Sequence, residues 1–354
     1  MRVRIIGIGG VGEATAHLLV SRGIARSLVL ANRNLDVAEA VRMDLEQSRS
    51  WGAPLSQAAA LPWHQGLFDG CDVVILTAGP RLRGNETRDA KAAETARILR
   101  GRGEKSIVAA LSNHVKRGTD AAILLVVTNP VEATVTWLAE ATGWPKKRIV
   151  GLGTTVETAR FSRFLADQLG VDPTSVWTEI VGEHGDRIAL RDERAFRLRV
   201  RQLHGRDVDL ETLLTRTRFA AREIRMVSEA VGERVATGVL ADLERDFGPD
   251  FLECAPKEVL RNRLAASLAP PATRFAIAAA ALEVVESVAR DRGRVLTVSS
   301  FTGLEGLPDV ALAVPFVVGR GGALACALDS ANDFLKETAG SIAAQVEAMN
   351  RAAA

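Results

Sequence analysis

The chain is poor in the residues that build covalent or metal-bound frameworks. Its three cysteines, Cys71, Cys254 and Cys326, are scattered through 354 residues and match no metal-ligand spacing. This argues against a disulfide scaffold or a zinc site and fits a reducing compartment. No uninterrupted apolar run approaches the ~18 to 20 residues of a membrane span, and no apolar leader precedes "MRVRIIGIGG". A cytoplasmic protein is the expectation. Neither sign of charge dominates: 45 lysines and arginines stand against 43 acids, a net charge of +2, so nothing points to nucleic acid or a membrane surface as partner. A small anionic ligand stays open. Histidine is also scarce, five in all, which makes the placing of each one informative.

What is present is ordinary for a globular protein, 47% hydrophobic and 25% charged, with length for one large or two medium domains. Short apolar runs recur at "VRIIGIG", "SLVLAN", "DVVILTAG", "AILLVVTNP" and "RIVGLGT", most of them separated by amphipathic, alanine-rich segments. Strands alternating with helices predict βαβ units in a parallel sheet, and runs apolar on both faces suit buried parallel strands. They end near residue 153, so a first domain over residues 1–153 and a second over 154–354 are expected. Beyond 153 the pattern predicts a helix at "TVETARFSRFLADQLG" and then a strand. A charged hairpin is read at "RDERAFRLRVRQLHGRDVD", and long helices over 211–246 and 256–268. A more buried helix follows at "TRFAIAAAALEVVESVARD", then strands and a terminal helix.

The first strand runs into GxGxxG as Gly7, Gly9 and Gly12, followed by a helix with Ala14 and Ala16 at its start. Glycines there permit a tight turn and close backbone approach, and the helix N-terminus offers free N–H groups to a pyrophosphate. About 20 residues on, an acid ordinarily binds the ribose hydroxyls; here the second strand ends in Asn32 and Arg33. Loss of the carboxylate removes its repulsion of a 2′-phosphate, and an arginine can pair with one, which favours NADP over NAD. The competing reading leaves Arg33 in solvent and Asn32 on a plain ribose.

A hydride transfer to or from a carbonyl carbon also moves a proton, which needs an acid/base with a pKa near neutrality. In "VGEHGDRIAL" His184 follows a strand and lies between Gly182 and Gly185. Glu157 is a suitable carboxylate partner, and it shares a helix face with Arg160, three residues on, so one helix can present an acid to the histidine and a guanidinium to a substrate carboxylate. The bland readings are a histidine in a structural turn and a plain helical ion pair.

Six segments then occur in one order over most of the chain: "GIGGVG", "TAGPRLRGNETR", "VVTNPVEATV", "GLGTTVETARF", "VGEHGD" and "AVPFVVGRGG". In these the chain resembles the L-lactate/L-malate dehydrogenase family, as a divergent member. The resemblance implies a Rossmann-type doubly wound parallel sheet with a C-terminal α+β substrate domain, an NAD(P)-dependent 2-hydroxy acid dehydrogenase, and a homodimer or homotetramer. It implies His184 as acid/base, Glu157 as its partner, Arg160 as the clamp on the substrate carboxylate and Arg88 as the lid arginine that polarises the carbonyl. It further implies Asn129 beside nicotinamide and substrate, Thr273 near the substrate, and Val11, Ala78 and Gly79 on the cofactor.

The departures from that pattern are specific. Glu157 is one methylene longer than the family's aspartate, so reaching His184 requires a displaced helix or another rotamer. Pro271 stands where glycine is expected, and "RIALRDER" after "GEHGD" is unusually charged. Between Val231 and Leu268 the chain carries roughly 30 to 40 residues beyond the family's usual spacing, a helical insertion near 231–268 of the kind that borders sites. At the position that reads the substrate's far end, one register places Leu82, implying an apolar side chain. The other places Arg81, with Arg83 close by, implying a second anionic group; a malate-like dianionic acid is the expectation. Two rivals remain: a cofactor-binding protein without turnover, and an NAD-dependent glycosidase, which would require a divalent metal and for which no Cys/His pair in a metal-binding context appears.

Overall fold

The computed structural model describes residues 1–52, 54–65, 70–80, 87–101, 106–117, 122–185, 187–205, 207–247, 261, 273–326 and 332–354. In it the expected strands become the centre of one sheet. β1 (Arg2–Ile6), β2 (Ser27–Asn32), β4 (Val73–Leu76), β5 (Ile123–Val126) and β6 (Ile149–Gly151) are parallel neighbours in the order β2-β1-β4-β5-β6. β4, β5 and β6 are buried along their whole length, as strands covered on both faces must be. β3 (Gln57–Pro62) joins at the β2 edge. Its sequence, QAAALP, is half exposed and alanine-rich, so it lacks the β-branched signal that marks the others.

From β1 the chain winds one way through α1 (Gly10–Ser21) and α2 (Leu35–Gln47) to β3. From β4 it winds the other way through α3 (Arg88–Arg100), α4 (Ile107–Lys116) and α5 (Val131–Thr142) to β6. Right-handed crossovers in opposite directions place these two helix sets on opposite faces and open a crevice between the ends of β1 and β4. α9 (Phe275–Arg290) packs on α1, whereas α10 (Asp333–Ala353) packs on α3 and α5. α5 is consequently buried almost all round, and its Trp137 is 2% exposed; truncation of such a side chain costs about 3–5 kcal/mol.

The sheet continues past β6 as antiparallel strands β10 (Ser299–Phe301), β11 (Ala311–Ala313), β7 (Ile180–Gly182) and β8 (Ile188–Leu190). The register forms one row across it: Ile6, Leu76, Val126, Gly151, Ser299, Ala313 and Gly182 pair in turn. The residues just beyond the parallel strands β1, β4, β5 and β6 therefore gather along one edge, and β7, which runs the other way, brings its last residue Gly182 to the same row. A second sheet holds β9 (Arg294–Leu296), β12 (Phe316–Gly319) and β13 (Gly322–Ala325) in the order β13-β12-β9.

The basic segment after β8 is not the expected hairpin. It is a helix, α7 (Glu193–His204), capped by the Asp192 side chain on the Ala195 N–H and ended by left-handed Gly205. Glu193 and Arg197 pair one turn apart, and Phe196 and Val200 pack into a second apolar cluster with α6 (Thr155–Leu169); the apolar spacing is four residues, not two. α8 (Leu210–Phe247) is one helix of 38 residues. Residues 231–247 of the insertion continue it, and helical Arg261 pairs with Glu233 at 3.8 Å. The helix expected over 256–268 otherwise lies outside the described residues. Among the described residues no helix is long and apolar enough to cross a membrane.

Candidate active site

The crevice between β1 and β4 is lined by the glycine turn. Gly7 has φ +105, and a Cβ there would lie 2.5 Å from the Ala78 nitrogen. At Gly12 a Cβ would lie 2.1 Å from the Gly7 oxygen. These two glycines are demanded by the fold itself. At Gly9 a Cβ would meet nothing within 4 Å, and Gly9 caps α1 with no side-chain bond. The open space and the free N–H groups of the first turn suit a pyrophosphate, so the residues fit a dinucleotide. Half-buried Val11 follows in that turn. Thr77 Oγ1 donates to the Gly7 carbonyl at 2.5 Å, and Thr128 Oγ1 to the Ala78 carbonyl at 2.8 Å, fixing the strand ends next to Gly79.

Asn32 accepts a hydrogen bond from the Ile8 N–H at 3.2 Å and donates to the Asn34 carbonyl at 3.0 Å. Its neutral amide thus holds the glycine turn where a carboxylate was the expected residue type. Arg33 is exposed, with its guanidinium 5.9 Å from the centroid of Trp63, and the Trp63 N–H bonds the Asn32 carbonyl at 3.0 Å.

The chemical centre lies at the row's other end. Gly182 has φ +124 and would place a Cβ 2.2 Å from the Arg187 carbonyl, so the chain turns sharply there and delivers Glu183 and His184. His184 Nδ1 lies 3.1 Å from the Glu157 carboxylate, which is 2% exposed against 23% for the histidine. Arg160, 12% exposed, lies 3.5 Å from the same carboxylate. The longer side chain of Glu157 therefore does reach its partner. Burial works against the imidazolium, but the charge and hydrogen bond of Glu157, with the charge of Glu132, outweigh it and push His184 up to about 9. Burial likewise disfavours the Glu157 anion, yet the charge and bond of His184, helped by Arg160, hold it below its ordinary value. Burial lowers the proton affinity of Arg160, with Glu157 opposing. With Nδ1–H given to Glu157, Nε2 is left for a substrate oxygen.

Two further acids, not singled out from sequence, complete the centre. Glu132, 1% exposed on the first turn of α5, accepts from the His184 backbone N–H at 3.2 Å and from Ser299 Oγ at 2.7 Å. Glu183, 1% exposed, forms an ion pair with Arg88 and accepts from Gln345 Nε2 at 2.7 Å. Arg88 is the first residue of α3, whose cap is Thr87. From the same helix Thr95 Oγ1 bonds the Asn129 carbonyl at 2.8 Å. Glu157, Arg160 and His184 are thus joined directly, Arg88 reaches them through Glu183, the neighbour of His184, and Asn129 is tied by its carbonyl to the helix that carries Arg88. The signals for the missed acids were modest: Glu183 adjoins His184, and Glu132 is a charge in an otherwise apolar helix start. Thr273 enters none of these bonds; it leads into α9 with φ +44. Arg81, Leu82, Arg83 and Pro271 lie outside the described residues.

Comparison with known proteins agrees in direction. The family profile described as "lactate/malate dehydrogenase, NAD binding domain" matches residues 1–151. The chain is 30% identical over 322 residues to "L-lactate dehydrogenase" of Thermoanaerobacter sp. (strain X514), covering 91% of this chain and 89% of that one. It is 31% identical over 330 residues to "L-lactate dehydrogenase" of Synechococcus sp. (strain JA-3-3Ab), with the same coverage. Among solved structures, the minor L-lactate dehydrogenase of Enterococcus mundtii superposes with a TM-score of 0.69 at 25% identity, over 98% of this chain and 96% of that one. A lactate dehydrogenase from a Medee basin deep-sea metagenome library shares the fold with a TM-score of 0.72 at 22% identity, over 99% and 98%.

Proposed function

The chain belongs to the lactate/malate dehydrogenase family, and from that premise we propose that it moves a hydride between NAD(P)H and C2 of a 2-oxo/2-hydroxy acid. The observation that carries this reading is the 3.1 Å contact of Glu157 with His184 Nδ1, with Arg160 on the same carboxylate. A bound nicotinamide supplies the hydride in the direction of reduction. Arg160 receives the substrate carboxylate and orients it, and Arg88 polarises the C2 carbonyl. His184 Nε2 gives its proton to the carbonyl oxygen as C2 gains the hydride, so the oxo acid becomes a hydroxy acid and the imidazole becomes neutral. Glu157 steadies the imidazolium until that transfer. In oxidation each step reverses.

NADP is the proposed cofactor of preference. Asn32 brings no negative charge to the ribose, and exposed Arg33 is available to a 2′-phosphate. A dianionic, malate-like acid is the proposed substrate, on the strength of Arg81 and Arg83 flanking Leu82. The second reading, reduction of a 2-oxo acid with a small apolar side chain, is favoured by relatives named L-lactate dehydrogenase. A homodimer or homotetramer belongs to the same proposal, and exposed Leu35, Val37 and Met43 on α2 supply apolar surface for one. The deciding experiment is a paired screen of NADH and NADPH against 2-oxo acids with neutral, carboxylated and phosphonylated side chains. Turnover of none of them sinks the proposal in favour of a cofactor-binding protein without turnover.

A further inference from the structure

His184 is held by two buried carboxyls, and the reaction just described uses only one. Glu157 takes the ring; Glu132 takes the backbone N–H, with Ser299 Oγ on the same oxygen. Among the described residues the second oxygen of Glu132 is buried without a hydrogen-bond partner, and so is the second oxygen of Glu183. A glutamine carbonyl would accept both existing bonds equally well. What an acid adds at this position is a proton that can leave. A carboxylate buried with one oxygen unsolvated is costly, and a neutral carboxyl is far less so.

We propose that Glu132 is a positioning residue of the acid/base centre: it pins the His184 loop to the first turn of α5, and its ionisation strengthens His184's hold on the catalytic proton. This rests on the reading of His184 as the proton donor. The charged groups around Glu132 come from three elements. The β7 loop brings Glu183 and His184, α6 brings Glu157 and Arg160, and α3 brings Arg88, already paired with Glu183. β10 and α10 contribute the neutral Ser299 and Gln345. α4 contributes His114, which stacks on Trp144 past the far end of α5.

Burial first, and the charge of Glu183 second, push the Glu132 carboxyl up to about 7, against the pull of His184 and the Ser299 bond. Its charge in turn raises His184. Below about 7 Glu132 is neutral and Glu157 alone stabilises the imidazolium. Above it, a second negative charge adds to that of Glu157, and His184 stays protonated further into the alkaline range. The two groups titrate as a coupled pair.

The test uses the full chain with NAD(P)H and its best 2-oxo acid, comparing wild type with Glu132→Gln. The expected result is that the alkaline limb of kcat/KM in reduction moves to lower pH by about half a pH unit or more. An infrared pH titration of the substrate-free enzyme should show a protonated-carboxyl band lost near neutrality in wild type and missing in Glu132→Gln. In His184→Asn that band should vanish at higher pH than in wild type, because the histidine's charge is gone; this arm needs no Glu132 variant to fold. An unmoved alkaline limb in Glu132→Gln, or an unmoved infrared midpoint in His184→Asn, overturns the inference. If wild type reduces no 2-oxo acid the proposed function fails instead, while the infrared titrations still decide the Glu132–His184 coupling.

Discussion

Glu157 and His184 lie 3.1 Å apart although they belong to different elements, α6 and the turn after β7. The contact exists because β6 and β7 are joined through β10 and β11 in one register row, which sets the start of α6 beside the end of β7. The acid is an ion-pair partner to Arg160 as well, so one carboxylate is shared by the histidine proposed to move the proton and the arginine proposed to hold the substrate anion.

Replacing Glu157 by glutamine keeps the side-chain length and removes the charge. His184 then loses the first of the influences that outweigh burial, and its proton affinity falls. The expected outcome is a kcat for 2-oxo acid reduction lower by roughly a hundredfold or more, with the alkaline limb of kcat/KM shifted to lower pH. Cofactor affinity measured by fluorescence titration should hardly change. A normal kcat would remove Glu157 from the centre.

Stability should fall as the solution becomes alkaline. His184 has a folded pKa raised above its ordinary 6.5 to about 9, so its contribution is complete below about 6.5 and is lost as pH rises through 9. Glu132, also raised, acts in the same sense at lower pH, whereas the lowered Glu157 matters only in acid. Melting temperatures taken from pH 6.5 to 9.5 should decline in wild type. In His184→Asn the curve should start lower and decline less. Parallel curves for the two proteins would refute the assignment.

Arg33→Ala separates the two cofactors. If the guanidinium meets a 2′-phosphate, the dissociation constant for NADPH should rise roughly ten- to a hundredfold, with little change for NADH. An equal loss for both would reject the contact and leave Arg33 as a surface residue stacked near Trp63.

The glycine turn allows a sharper comparison. Gly12→Ala forces a Cβ to 2.1 Å from the Gly7 oxygen, so it should destabilise the free protein by about 1–3 kcal/mol and weaken dinucleotide binding. Gly9→Ala meets open space in the free protein. Its melting temperature should match wild type while dinucleotide affinity drops. Tight binding by Gly9→Ala would mean that the pyrophosphate does not approach this backbone.

Local chemistry determined a large part of this protein. The strand runs, the glycine turn and the pairing of Glu157 with Arg160 one helical turn apart all depend on residues close in sequence, where periodicity and spacing carry the signal. β3 escaped because alanines on an edge strand have little strand signature. The segment over 193–204 reads as a hairpin because its many arginines hide a four-residue apolar spacing, and it folds as a helix. Only the tertiary structure decided that Glu132, Glu183, Ser299 and Gln345 belong to the centre. Their bonds to His184 and its neighbours span 52 to 167 residues of chain. The physical reason is that a buried polar group is satisfied by whatever the sheet register and helix packing bring within about 3 Å, and no local pattern encodes that partner.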